Sequence, residues 1–76
     1  MSNTGPQTEQ IEVVINGESR GVPAGLNVAS LLAALGIEGD RVAVELNRAI
    51  VAKRDWPGTP VSAGATLEIV QFVGGG

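Results

Sequence analysis

The stretch LEIVQFVGGG, residues 67–76, joins a strand-like apolar run to three consecutive glycines. Without Cβ atoms, Gly74, Gly75 and Gly76 form a narrow tail that adopts conformations closed to other residues. Such a tail could enter a tight channel in another protein and deliver the main-chain carboxylate of Gly76 to chemistry done there. The alternative is a frayed end, because chain termini are poorly ordered unless they are tied down.

The composition indicates one small domain without catalytic machinery of its own. A chain of 76 residues buries only about 60% of the surface that its unfolded form exposes. The sequence contains no Cys, His or Tyr, which excludes disulfides, thiolate or imidazole metal ligands, and catalysis based on Ser-His or Cys-His pairs. We therefore expect a carrier or substrate protein that is not an enzyme and that binds no metal or cofactor.

The charge pattern argues against nucleic-acid and membrane partners. The net charge is −3, and the five basic residues are scattered apart from Lys53-Arg54, so no basic stripe is available to neutralise phosphates. No apolar stretch is long enough to span a bilayer. Residues 1–10 lack the basic and apolar regions of a secretory signal. We expect a disordered polar leader over residues 1–10 and a cytoplasmic protein.

The first part of the chain predicts a hairpin followed by a helix. Residues 11–15 and 18–22 favour strands, and Asn16-Gly17 between them is typical of a type I′ turn. Apolar residues then recur with helical spacing from Val28 to Leu35, in a helix of about ten residues. Asn27 is the expected N-cap, and Gly36 suits the left-handed residue that ends the helix.

The second part predicts three more strands, at residues 41–46, 49–52 and 67–73, with Trp56 as a core side chain between them. The order β-β-α-β-β-β indicates an α+β fold of the β-grasp (ubiquitin-like) type. We expect a mixed sheet of four to five strands with one helix packed on one face. The first and last strands would lie parallel in the centre, the domain would cover residues 11–73, and residues 74–76 would project as a flexible tail.

Alternation along the last strand also predicts a docking face. Leu67 and Ile69 would point into the core, and Val70 and Phe72 would point to the opposite side of the sheet, joined by Val14. An uncovered apolar face suits a partner, although scattered apolar residues on a surface are also ordinary. A terminal carboxylate must be activated before it reacts, most simply as an acyl-adenylate, and the chain has no nucleotide-binding loop of its own. A second, ATP-using protein is therefore expected.

Three stretches together resemble the ThiS family, the sulfur-carrier proteins of thiamine biosynthesis. They are VAVELNRAIV at residues 42–51, Arg54-Asp55-Trp56, and LEIVQFVGGG at residues 67–76. The resemblance runs over nearly the whole chain from Ile11 onward. One departure is Ala52, where members of the family often carry proline.

The resemblance implies a mechanism. An E1-like adenylating enzyme would use ATP to adenylate the carboxylate of Gly76. A persulfide from a cysteine desulfurase or rhodanese-type sulfur donor would displace AMP. The resulting thiocarboxylate would donate sulfur to thiazole synthase, with Gly74 and Gly75 as the stalk that enters both partners' active sites.

Other functions stay open from the sequence. The chain could carry sulfur for molybdopterin, cysteine or tRNA thiolation, although Gln71-Phe72-Val73 lacks the Phe-Pro-Pro run typical of molybdopterin carriers. It could instead be a ubiquitin-like modifier that joins Gly76 to a lysine of a target protein. A passive binding module with an idle tail is the third possibility, and trimming the glycines would distinguish it.

Overall fold

The computed structural model describes residues 9–72. Its elements follow the predicted order: strands β1 (Gln10–Ile15) and β2 (Glu18–Pro23), helix α1 (Val28–Ala34), and strands β3 (Val42–Leu46), β4 (Ala49–Val51) and β5 (Thr66–Gln71). Two 3₁₀ segments were not predicted. Gly39–Arg41 includes Arg41, the first residue of the predicted third strand, and Lys53–Gly58 lies where an irregular loop was expected. The predicted leader falls outside the described residues except for Glu9 and Gln10.

The five strands form one mixed sheet in the order β2-β1-β5-β3-β4. Strands β1 and β5 pair in parallel, and both hairpins, β1–β2 and β3–β4, are antiparallel. Strand β3 pairs antiparallel with β5, which therefore lies in the middle of the sheet. The predicted β-grasp topology, with parallel first and last strands, is confirmed.

Helix α1 is shorter than predicted because both of its ends are fixed by specific caps. The side chain of Asn27 accepts a hydrogen bond from the Ser30 amide at 2.8 Å, and the Ser30 hydroxyl accepts from the Asn27 amide at 2.9 Å. At the other end Gly36 has a φ of +75°, and the Ile37 amide donates back to the Leu32 carbonyl at 2.9 Å. The bonds between Asn27 and Ser30 form a capping box, and those at Gly36 and Ile37 form a Schellman motif, so the helix has seven residues.

The core lies between α1 and one face of the sheet. Trp56 is buried, as predicted, and its indole N–H donates to the Val51 carbonyl at 2.9 Å. Its ring lies against Gly39, where an added Cβ would stand 2.7 Å from the ring, so a larger residue at position 39 would force the ring to shift. The buried apolar residues are Val13, Ile15, Val22, Val28, Leu31, Leu32, Val42, Val44, Trp56, Val61, Ala65 and Leu67.

Within residues 9–72, no helix is long and apolar enough to cross a membrane. No buried side-chain nitrogen or oxygen in this range lacks a hydrogen-bond partner.

Candidate functional site

Strand β5 leads to the glycine run and is held on both sides along its first half. On one side it pairs in parallel with β1 as far as Ile15 and Leu67. On the other side it pairs with β3 from Leu67 to Gln71. Leu67 is fully buried, so this half of the strand is fixed by packing as well as by hydrogen bonds.

The side chain of Asn16 continues the hydrogen bonding to β5 beyond the end of β1. This residue begins the hairpin turn with a φ of +51°, and its side-chain amide contacts the main chain of Ile69 twice. The Ile69 amide donates to Oδ1 at 2.7 Å, and Nδ2 donates to the Ile69 carbonyl at 3.1 Å. The side chain thus takes the place of one more residue of β1 and fixes β5 three residues before Phe72.

Asn47, in the turn between β3 and β4, holds the beginning of the same strand. Its amide donates to the Thr66 carbonyl at 2.7 Å, and the Thr66 amide donates to Asn47 Oδ1 at 3.0 Å. Asn47 and Arg48 have φ values of +51° and +74°, which fits a type I′ turn. The predicted turn at Asn16-Gly17 and the gap between the predicted strands 41–46 and 49–52 match the two hairpin turns, but no sequence signal indicated that their asparagines bond to β5.

Beyond Ile69, the described part of the chain pairs with β3 on one side and has no partner among residues 9–72 on the other. The Phe72 amide donates to the Arg41 carbonyl at 2.7 Å, which continues the pairing with β3 past the end of the strand. Phe72 is the last described residue. The predicted tail residues Gly74, Gly75 and Gly76, and Val73 before them, lie outside the described residues.

The sheet face opposite α1 carries the predicted docking residues. Val70 is 54% exposed and Phe72 is 58% exposed, and both point away from the core. Val14, on β1, lies on the same face and is half-buried. Its partner on β5 is Thr66, four residues before Val70, so Val14 lies at the margin of the face. Ala43 is the residue directly opposite Val70.

Ile50 belongs to this face and was missed from the sequence. It is 77% exposed and lies opposite Glu45 across the β3–β4 hairpin. The two-residue turn at Asn47-Arg48 fixes that register. Because Val44 points inward and Glu45 outward, Ile50, which lies opposite Glu45, could have been predicted to point outward as well. We define the docking face as Val14, Ala43, Ile50, Val70 and Phe72.

Two carboxylates interrupt the docking face. Glu45 and Glu68 lie directly opposite each other on β3 and β5, and both line a shallow depression with Ile50 and Val70. Like charges in this position repel each other. A basic side chain of a partner would relieve this repulsion. Among residues 9–72, no group of three or more Asp, Glu, His or Cys side chains is placed to hold a metal ion.

The comparison with family models identifies this arrangement. The model of the ThiS family matches residues 9–76, which includes the glycine run. Among solved structures, the crystal structure of the thiamine biosynthesis protein ThiS from Geobacter metallireducens has a TM-score of 0.76 and 33% identity, and the match covers 87% of this chain and 100% of that one. The solution structure of a thiamine biosynthesis protein from the same organism has a TM-score of 0.72 at 33% identity, covering 87% of this chain and 88% of that one.

Two curated relatives are much longer proteins, each named thiazole synthase. The protein from Paramagnetospirillum magneticum is 46% identical over 66 residues, and that from Magnetococcus marinus is 33% identical over 66 residues. Each match covers 87% of this chain but only 20% of the relative. The family match over residues 9–76, together with the β-grasp sheet, shows that this chain belongs to the ThiS family.

Proposed function

We propose that this protein carries sulfur for thiazole formation as a thiocarboxylate on Gly76. An E1-like enzyme joins the Gly76 carboxylate to the AMP part of ATP and releases pyrophosphate. The terminal sulfur of a persulfide then attacks the carbonyl carbon and AMP leaves. A second thiol cleaves the new sulfur–sulfur bond, which leaves one sulfur on Gly76 for transfer to thiazole synthase.

The observation that carries this proposal is the way in which β5 is anchored. The strand is gripped by Asn47 at Thr66 and by Asn16 at Ile69, and it leads directly into the glycine run. A strand fixed so close to its end gives the following residues a defined starting point and direction. A tail that has to reach a partner's active site benefits from such a base, because less conformational freedom is lost on binding.

The docking face supports the proposal because it lies beside the base of the tail. Phe72 and Val70 are exposed large apolar side chains within the last residues before the glycines. Exposed aromatic residues of this kind are typical anchors at protein interfaces. We propose that Val70, Phe72 and Ile50 contact the activating enzyme, with Val14 at the margin, and that a basic residue of that enzyme lies between Glu45 and Glu68.

We also propose thiazole synthase as the acceptor of the sulfur. The curated relatives include a region like this chain within longer proteins that are named thiazole synthase. A carrier joined covalently to its acceptor gains a high effective concentration at the acceptor's active site. The sulfur donor is proposed to be a cysteine desulfurase or a rhodanese-type protein, and ATP is consumed by the activating enzyme rather than bound by the carrier.

The test is the exchange of labelled pyrophosphate into ATP, catalysed by the activating enzyme in the presence of the carrier. Carriers that lack Gly76, or that bear one alanine after it, should support no exchange above background, because the carboxylate is then misplaced. Ser62→Ala, in an exposed loop at the other end of β5, is the matched control and should retain the parent's rate. An unchanged exchange rate in the Gly76 variants would rule the proposal out.

A further inference from the structure

One edge of β5 has main-chain groups without partners. Along a strand, successive N–H and C=O groups point to opposite sides. The groups of Phe72 point toward β3, where the amide donates to Arg41, and those of Ile69 point toward β1, where they bond to Asn16. The N–H and C=O of Gln71 therefore point to the side of Ile69, into the space beyond the end of β1.

Nothing in the described part of the chain fills that space. The pairing of β1 with β5 ends at Ile15 and Leu67, because the chain turns away at Asn16-Gly17 into β2. Among residues 9–72, the main chain of Gln71 has no hydrogen-bond partner on this side. Unpaired groups of this kind at a sheet edge are a template for a strand from another chain.

A groove with an apolar floor lies beside this edge. Gln71 and Asn16 line it together with Ile15, Leu35, Ile37 and Ile69, and the charged side chains of Glu18 and Arg20 form part of its wall. Leu35, Ile37 and Ile69 are half-buried, so an apolar side chain placed there would remove them further from water. Because side chains alternate along a strand, one residue of an added strand would point into this groove.

We propose that thiazole synthase adds an extended segment to this edge, pairing with the main chain of Gln71 and placing an apolar side chain in the groove. The inference rests on the proposed function and names the contact by which the acceptor recognises the carrier. Three observations favour this occupant: the unpaired groups of Gln71 are available to main-chain partners, the groove has an apolar floor at Leu35, Ile37 and Ile69, and Gln71 lies shortly before the glycine run that the synthase is proposed to receive. Addition of a strand to an exposed edge is an established form of peptide recognition.

The position of Asn16 sharpens the inference. Its side chain already bonds to Ile69 as a strand residue would. An incoming segment beside Gln71 would lie in line with β1 and continue the same ladder. Within residues 9–72 the unpaired edge is one residue long, at Gln71.

The first experiment measures amide hydrogen exchange in the carrier, alone and in complex with the full-length synthase. The Gln71 amide should exchange freely in the carrier alone and at least about tenfold more slowly in the complex. The Phe72 amide, already bonded to Arg41, is the internal control and should change little. Unchanged exchange at Gln71 in a complex that forms would overturn the inference. Protection in the carrier alone at high concentration would do so as well, and would indicate a second copy of this chain on the edge.

The second experiment compares Gln71→Pro with Gln71→Ala. Proline removes only the N–H that points into the free space, so the bonds to β3 remain. Gln71→Pro should weaken binding to the synthase about three- to tenfold, whereas Gln71→Ala should bind within about twofold of the parent. Parent-like affinity in both variants would overturn the inference. The same loss of affinity in both variants would overturn it too, because the loss would then come from the Gln71 side chain. If the parent itself neither binds the synthase nor transfers sulfur to it, the proposed function fails and the edge contact fails with it.

Discussion

Leu67 and Phe72 lie five residues apart in the last strand and its extension, yet they meet opposite surroundings. Leu67 has no exposed surface, contacts the core, and is bordered by β1 and β3 on either side. Phe72 is 58% exposed, and within residues 9–72 its main chain makes one hydrogen bond, to Arg41. The first half of the strand thus contributes to the core, whereas the second half and its extension expose Val70 and Phe72.

A small domain can therefore combine a core-forming half and an exposed half in one strand. A chain of this size has only a marginal core, and β5 provides a central part of it. The anchored half of the strand directly precedes the exposed residues that we propose as partner contacts. The two asparagine turns increase this effect, since each uses its side chain on β5 rather than on its own hairpin.

The largest expected effect on stability comes from Leu67→Ala. Removing a fully buried leucine side chain from the centre of the sheet should lower the free energy of unfolding by about 2–5 kcal/mol. Val70→Ala, on the exposed face of the same strand, is the control and should lower it by less than about 1 kcal/mol. Urea denaturation measures both, and similar losses for the two variants would contradict the division of β5 into two halves.

Phe72→Asp should separate docking from folding. We expect binding to the activating enzyme to weaken by about 2–4 kcal/mol, because an aromatic anchor is lost and an unpaired charge must be buried. The free energy of unfolding should change by less than about 0.5 kcal/mol, since the side chain is exposed. Isothermal titration calorimetry gives the affinity, with Ser62→Asp as the control for added charge. Parent-like affinity would remove Phe72 from the docking face.

Asn16→Gly tests the grip on Ile69. Glycine keeps the positive φ of the turn but loses both side-chain hydrogen bonds, so the free energy of unfolding should fall by about 1–3 kcal/mol. The Ile69 amide should also exchange faster with solvent. Asn16→Asp retains the acceptor for the Ile69 amide and should preserve more of its protection. An unchanged exchange rate at Ile69 in the glycine variant would show that Asn16 does not hold the strand.

The smallest expected effect is a gain from Arg48→Gly. Arg48 has a φ of +74°, a left-handed conformation that costs a residue with a Cβ roughly 1–2 kcal/mol. Relief of this strain, partly offset by the greater freedom of glycine in the unfolded chain, should stabilise the protein by about 0.5–1 kcal/mol. Arg48→Ala keeps the strain and should leave the thermal midpoint nearly unchanged. A lower midpoint for the glycine variant would contradict this explanation.

Much of the fold could be predicted because local signals agreed with one another. Asn16-Gly17 fixed the first hairpin, the spacing from Val28 to Leu35 indicated the helix, and Asn27 and Gly36 marked its ends. The predicted length of about ten residues was too large because it included the capping residues at the two ends of the helix. The 3₁₀ segment at Lys53–Gly58 was missed because it depends on the packing of Trp56 rather than on a repeating pattern.

The candidate site was predictable only in part. Side-chain alternation along the last strand predicted that Val70 and Phe72 point outward. Predicting the outward position of Ile50 needs the register of the β3–β4 hairpin, which follows from the turn at Asn47-Arg48. The grip of Asn16 on Ile69 joins residues 53 positions apart in the sequence, and no local pattern predicts such a contact. The free edge at Gln71 depends in turn on where β1 ends relative to β5, which only the assembled sheet reveals.

The most direct test is the intact mass of the purified protein after it has been treated with its proposed partners. The carrier is incubated with ATP, a persulfide donor and the thiamine-pathway activating enzyme, and its intact mass is measured. The peptide that contains Gly76 is then sequenced by mass spectrometry to locate the change. The proposal predicts a shift equal to one oxygen replaced by sulfur, located at a free carboxyl group on Gly76. No shift in the parent, or the same shift in a chain lacking Gly76, would contradict the claim that Gly76 carries the sulfur.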